Sequence, residues 1–318
     1  SRLYQCRSRA HIRLRQTSWS VSPMRVFVTG ATGFIGSAVV KELISAGHRV
    51  VGLSRSDGGD SALRAAGAEV CRGSVEDLEG VKAAAAASDG VIHLAFNHDF
   101  STYVANCEAD RRVIEALGAA LAGSDRPLIV TSGVGMGLAA PGQLAQEEDR
   151  PAASSAVPRA ASEEAAAAAA ARGVRVSVVR LPQVHDTTRF GLISYAVATA
   201  REKGVSAYLG DGSSRWAAAH VSDTARLYRL ALERAEREAT YHAVAEEGVA
   251  MRDIAEVVGR RLKTPVVSIA PQEAEAHFGW FGSFLTRDFP ASSEKTRRRL
   301  GWSPTGPGLL ADLERMDQ

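Results

Sequence analysis

The chain has 318 residues, 45% hydrophobic and 23% charged, with a formal net charge of +2. This is an ordinary globular composition, enough for one large domain or two modest ones. No run of about 18 apolar residues occurs, which argues against a membrane span, and so small a net charge gives no argument for nucleic-acid binding.

In chain order, residues 1–23 come first, with five arginines (Arg2, Arg7, Arg9, Arg13, Arg15) and no acid. Taking those five from the 38 basic residues leaves 33 against 36 acidic ones, so the body is mildly acidic. An acid-free stretch rich in Arg and Ser has the composition of an organelle-targeting leader; the plainer reading is a disordered or non-native extension, with Met24 the natural start. Cys6, Cys71 and Cys107 are scattered, without a C-x-x-C pair or a Cys/His cluster. That pattern suggests no disulfide framework and no metal site, and fits a reducing, cytoplasmic setting unless the leader is genuine.

From Met24 two periods alternate. Apolar runs at 25–30, 48–54, 68–73, 90–95, 127–132 and 174–181 predict strands. Stretches 34–46, 61–66, 76–87, 101–122 and 159–172 predict helices, most of them closed by a glycine. Strands apolar throughout and separated by helices imply a doubly wound, parallel Rossmann sheet over residues 24–181. After Leu181 the rhythm loosens. Strands at 205–209, 215–221, 240–245 and 265–269, with helices near 223–235, 250–262 and 292–300, predict a smaller α/β substrate lobe over 182–318, some elements returning to the sheet. The Ala-, Pro- and Ser-rich segment 138–158 predicts an exposed loop.

The first strand runs into MRVFVTGATGFIG (24–36), with Gly30, Gly33 and Gly36 at a spacing of three. Glycines between a buried strand and a helix allow a tight turn, and they let a dinucleotide pyrophosphate approach the helix N-terminus. The second strand ends in LSRS (53–56) and lacks the acid that would grip ribose hydroxyls. Ser54 and Arg55 could instead receive a 2′-phosphate, which favours NADP over NAD, although Arg55 also reads as a plain surface residue.

The stretches TGATGFIG (29–36), GSVED (73–77), DGVIHLA (89–95), VTSG (130–133), VVRLPQVH (178–185) and AAAHVSDTARL (217–227) resemble, in order, the extended or atypical short-chain dehydrogenase/reductases, which include NAD-dependent epimerases and dehydratases. The resemblance implies that Thr29, Gly30, Gly33, Phe34, Ile35 and Gly36 hold the pyrophosphate. It implies Ser74 and Val75 beside the adenine, Leu94 and Ala95 on the nicotinamide-ribose side, and Leu181, Pro182 and Val184 at the nicotinamide. Asp223 would order the lobe junction. That family uses Tyr-x-x-x-Lys after the fifth strand, yet SSAVPRAASEEAA (154–166) contains neither residue. Arg159 stands where the lysine would, Ser155 where the tyrosine would, and the family serine falls on Ser132 or on Gly133. With His185, these are the candidate proton-handling groups.

Three functional readings follow: an NAD(P)-dependent oxidoreductase on a small carbonyl or hydroxyl compound, an epimerase or dehydratase on another substrate, or a silent NADP(H)-binding sensor or scaffold. The expected partner is a small molecule rather than nucleic acid or membrane, with a homodimer left open. His93 and His220 read as structural rather than catalytic, Arg180 as half of a buried ion pair, and Tyr103 as a packing residue or a stand-in acid. The aromatic stretch HFGWFGSFL (277–285) reads equally as a substrate wall, as lobe core or as a partner surface.

Overall fold

A computed structural model describes residues 22–137 and 142–317. The predicted leader or extension falls, but for its last two residues, outside the described residues, as does part of the predicted loop, 138–141. Strands are β1 (Arg25–Thr29), β2 (Arg49–Ser54), β3 (Glu69–Arg72), β4 (Gly90–His93), β5 (Pro127–Gly133), β6 (Arg175–Leu181), β7 (Gln183–His185), β8 (Ser206–Leu209), β9 (Arg215–His220), β10 (Ala239–His242), β11 (Glu246–Ala250) and β12 (Val266–Ile269). Helices are α1 (Phe34–Ser45), α2 (Asp57–Ala65), α3 (Leu78–Ala86), α4 (Tyr103–Leu121), α5 (Ala161–Ala171), α6 (Ile193–Lys203), α7 (Val221–Arg234), α8 (Met251–Leu262), α9 (Ala274–Phe278), α10 (Gly282–Leu285), α11 (Glu294–Leu300) and α12 (Leu309–Leu313).

Seven strands form one sheet in the order β10-β6-β5-β4-β1-β2-β3, every neighbouring pair parallel. Both faces are covered, which is why the strands are predominantly apolar, their buried polar members such as Ser132 and Arg180 each holding a partner. Along β1, Val26 and Val28 point into a core with Val39, Leu43, Tyr228 and Trp302, while Phe27 points into the opposite core with Ile114, Leu117 and Ala165. The order reverses between β1 and β4, and ligands bind at such a switch point, outside the carboxyl ends of the strands.

The region after Leu181 contributes to both the large sheet and smaller ones. β10 returns to pair with β6, and α7 packs on α1. The rest forms a second lobe, with the sheet β11-β9-β7, the pair β12-β8, and a core of Phe190, Val197, Trp216, Ile254, Phe281 and Leu309. Asp223, 1% exposed, accepts the amides of Thr305 and Gly306 and pairs with Arg226, tying α7 to the chain behind it. Segment 138–158 is not simply an exposed loop. Its described part is pinned by Ala145, which bonds to Pro290 and Ser292, and by buried Glu147, which accepts from Thr296. A polar sequence without periodicity gave no hint of these tertiary bonds.

Candidate cofactor cradle and catalytic edge

Gly30 takes φ +66, in the left-handed region, and a Cβ there would lie 2.7 Å from the Ala95 amide nitrogen. A Cβ on Gly36 would overlap the Gly30 carbonyl oxygen. Gly33 differs: its own Cβ would meet only that oxygen, at 3.2 Å, so one side of it is open. Gly33 is also the N-cap of α1 and has no side chain to cap it. Among the described residues, the amides of Phe34, Ile35 and Gly36 have no hydrogen-bond acceptor. Unpaired donors at the positive end of a 12-residue helix suit an anion. The bare turn therefore fits a dinucleotide's diphosphate.

Thr29 needs a correction. It is fully buried, its hydroxyl accepts the amides of Leu94 and Ala95 at 3.2 Å each, and it lies 2.7 Å from His93 Nδ1. It clamps the β4 exit against β1 and has no group left for a phosphate. His93 Nε2 continues to Asp110 at 2.9 Å, confirming a structural histidine.

At the adenine end Ser54 also drops out as a phosphate ligand. It is 2% exposed and donates to the Ser56 carbonyl, closing the β2–α2 turn. Ser56 caps α2 by accepting the Gly59 amide. Arg55 is exposed and, among the described residues, has no ion pair; the pairs to Asp57 and Asp60 belong to Arg72. Ser74 is half-buried and accepts the Glu76 amide, and Val75 packs on the second core.

At the other end Leu94, Ala95 and Leu181 are half-buried at the carboxyl ends of β4 and β6. Pro182 is buried and Val184 is 4% exposed, its backbone paired with Ala219 in the small sheet. Both are covered by protein, so Leu181 is the accessible member of that trio.

The four proton-handling candidates separate sharply. Ser132 is buried and donates to Glu163 Oε1 at 2.6 Å; Glu163 in turn holds Arg180 through both carboxylate oxygens, at 2.9 and 2.8 Å. Arg180 also reaches the Asp149 carbonyl and His242, whose ring burial and the Arg180 charge push down to about 4. Ser132 thus belongs to a buried scaffold. His185 is 0% exposed, with Nδ1 2.7 Å from Asp312, inside the second lobe. Burial depresses its basicity more than Asp312 restores it, and the ring is closed off from solvent. Ser155 is exposed in a turn, with no hydrogen bond to Arg159.

Arg159 remains. It lies on a short 3-10 turn before α5, pairs with Asp110 at 2.8 Å, contacts Ser162, donates to the Thr131 carbonyl at 3.0 Å, and sits 4.1 Å over the Phe96 ring. It is held at the carboxyl edge between β4 and β5. Burial alone would raise the Asp110 carboxyl, but His93 and Arg159 outweigh it and hold it at about 2. A folded pKa below the ordinary 3.8 means stability that is complete above 3.8 and lost as pH falls through about 2. The native protein is expected to lose about 2 kcal/mol more than Asp110→Asn between pH 5 and pH 2, read from urea midpoints. Parallel pH curves would mean that the carboxylate anchors nothing.

Sequence reasoning missed Asp110, Glu163 and Glu147. Asp110 left a signal: residues 107, 110, 114, 117 and 121 form the buried stripe of α4, and an acid within such a stripe requires a partner. Glu163 and Glu147 left none.

Beyond Phe96 an aromatic mouth opens. Phe100 stacks on Trp280 at 4.2 Å and on Tyr103 at 5.5 Å, with Tyr195 edge-on to Trp280 at 4.8 Å. In the 277–285 stretch, Phe278, Phe281 and Leu285 are lobe core, while Trp280 is 42% exposed at the rim. Burial, followed by Cys107, pushes the Tyr103 hydroxyl up to about 12, and its ring packs, so it reads as a packing residue.

This geometry is that of a dinucleotide-binding enzyme fold, and the comparisons agree. The model of the NAD dependent epimerase/dehydratase family matches residues 26–245, and the chain belongs to that family. An uncharacterized protein of Schizosaccharomyces pombe is 47% identical over 291 residues, covering 91% of this chain and 98% of its own. An uncharacterized protein of Saccharomyces cerevisiae is 44% identical over 293 residues, with the same coverage. Among solved structures, a double mutant of dTDP-glucose 4,6-dehydratase from Streptomyces venezuelae, with NAD bound, shares the fold. Its TM-score is 0.74 at 19% identity, over 92% of this chain and 95% of that one. Among the described residues, no helix is long and apolar enough to cross a membrane.

Proposed function

We propose that the chain is an NADP-preferring oxidoreductase of atypical short-chain type, acting on a small carbonyl or hydroxyl compound. The observation that carries the reading is the bare glycine turn with its three free amides; an ordered arginine at the strand edge supports it. A bound nicotinamide would supply or accept the hydride. The free amides of α1 hold the diphosphate, and Arg55 receives the 2′-phosphate. Arg159 takes the lysine's place. A guanidinium keeps its proton at neutral pH, so it stabilises a developing alkoxide by charge and hydrogen bonding, and water supplies the proton. The test is loss of NADPH absorbance with a panel of aldehydes and ketones at saturating cofactor.

Arg55→Ala is expected to weaken NADP about 10-fold or more, the scale of one charge-assisted hydrogen bond, while leaving NAD nearly unchanged. Calorimetric titration checks this, and equal losses for both cofactors would remove the phosphate role.

A second reading, a silent NADP(H) sensor, is favoured by the bonds that hold Arg159 to Asp110, Ser162 and Thr131, which commit three of its five donors to the protein. Persistent silence across the panel, with cofactor bound, would select it.

A further inference from the structure

The residues of the cradle itself, TGATGFIGS (29–37), carry no Lys or Arg. A diphosphate brings two negative charges, and helix amides offer only partial positive ones. The fold supplies a full charge from elsewhere. Arg189, 155 residues after Phe34 in the chain, places its guanidinium carbon 5.7 Å from the centroid of the Phe34 ring, the first residue of α1. Among the described residues, this guanidinium makes no ion pair and no side-chain hydrogen bond. The side chain is exposed, so the charge lies at the surface beside the first residue of the helix rather than within the protein.

The backbone beneath it is firmly held. His185 and Phe190 form an antiparallel bridge, and the Asp186 amide donates to the Arg189 carbonyl at 2.9 Å. Asp186 Oδ1 accepts from the Thr188 amide, the Thr188 hydroxyl and the Arg189 amide, at 2.7, 2.8 and 2.8 Å. Phe190, 3% exposed, anchors the turn in the core of the second lobe. This lobe thus presents one cation to the phosphate end of the first.

We propose that Arg189 is a clamp for the cofactor's diphosphate: it closes over the mouth of the glycine cradle and pairs with the phosphate oxygens that face away from the α1 amides. The inference rests on the reading that the cradle binds a dinucleotide. It adds a second-lobe residue to the binding set and makes cofactor affinity depend on the relation between the lobes. It also separates two arginine roles: Arg55 distinguishes NADP from NAD, whereas Arg189 serves both alike because both carry the same diphosphate.

The test is calorimetric titration of NAD, NADP, ADP-ribose and AMP into the full chain and into Arg189→Ala and Arg189→Lys, with unfolding midpoints of the unliganded proteins as a control on folding. Because the side chain makes no hydrogen bond or ion pair among the described residues, and its exposed contact with the Phe34 ring is worth at most about 1 kcal/mol, the unliganded midpoints should lie close together. Arg189→Ala is expected to weaken NAD, NADP and ADP-ribose by a common factor of about 10 or more and AMP much less, and to flatten the salt dependence of binding. Arg189→Lys should recover part of the loss, since it keeps the charge and loses the fork. Unchanged affinities in Arg189→Ala, or a loss confined to NADP, overturns the clamp. A wild-type chain that binds none of these ligands overturns the dinucleotide reading itself, an outcome distinct from failure of the clamp alone.

Discussion

Glu163→Ala is expected to destabilise the fold by about 3–5 kcal/mol, the usual cost of leaving one half of a buried ion pair unpaired. Arg180 is 1% exposed and Glu163 6% exposed, and the carboxylate meets both Nε and a terminal nitrogen of the guanidinium. Its removal leaves Arg180 with the Asp149 carbonyl and a long contact to His242, and strips Ser132 of its acceptor. Urea denaturation measures the loss, and thermal unfolding should show a midpoint lower by roughly 10 °C. The double variant Glu163→Leu/Arg180→Met should recover most of it, because neither member then leaves a charge stranded. A loss below about 1 kcal/mol for Glu163→Ala would mean that water enters and screens this pair. The consequence for function is direct. Ser132 and Arg180 are register partners on β5 and β6, and Thr131, the preceding residue, holds Arg159. The buried pair thus fixes the strand edge on which Arg159 is mounted.

The fold was more legible in the sequence than the site. Most strands of the first lobe announced themselves as short, largely apolar runs, because a parallel sheet covered on both faces buries side chains at most positions. Gly30, Gly33 and Gly36 were legible for a related reason: the backbone must pass where no side chain fits. The polar residues were harder. Thr29 and Ser132 occupy positions where the family resemblance implies ligand contact or catalysis, and Ser54 one where the strand end suggested a phosphate ligand, yet each hydroxyl is spent inside the protein, on Leu94 and Ala95, on Glu163 and on Ser56. His185 follows a strand end, which suggested the cleft, but β7 carries it into the small sheet and against Asp312. A hydroxyl or imidazole looks alike in sequence whether its partner is a substrate or a buried carboxylate 127 residues away. Only the folded arrangement distinguishes the two, and the same holds for Arg189 beside Phe34.

The sharpest consequence of the bare N-cap lies in Gly33→Asp. The backbone at Gly33, φ −76 and ψ 175, is open to any residue, and its Cβ would meet only the Gly30 oxygen at 3.2 Å. An aspartate there is also a favoured N-cap, whose carboxylate accepts the free amides of the first turn. The unliganded variant should therefore be as stable as the wild type or up to about 1 kcal/mol more stable. Its ligand response should vanish, because the amides are occupied and a negative charge stands where the diphosphate must lie. For the wild type, cofactor at 100 times its Kd adds about 2.7 kcal/mol, a rise of roughly 5–10 °C in midpoint. For Gly33→Asp the expected rise is nil. Gly36→Ala supplies the contrast. Its Cβ would collide with the Gly30 carbonyl, so it should lower the unliganded midpoint as well as the response. A cap that improves the helix while abolishing its ligand distinguishes an anion cradle from a merely glycine-rich turn, since a turn with no guest has nothing to lose when its donors are filled. Retention of the full cofactor shift by Gly33→Asp would show that the dinucleotide, if bound, lies elsewhere.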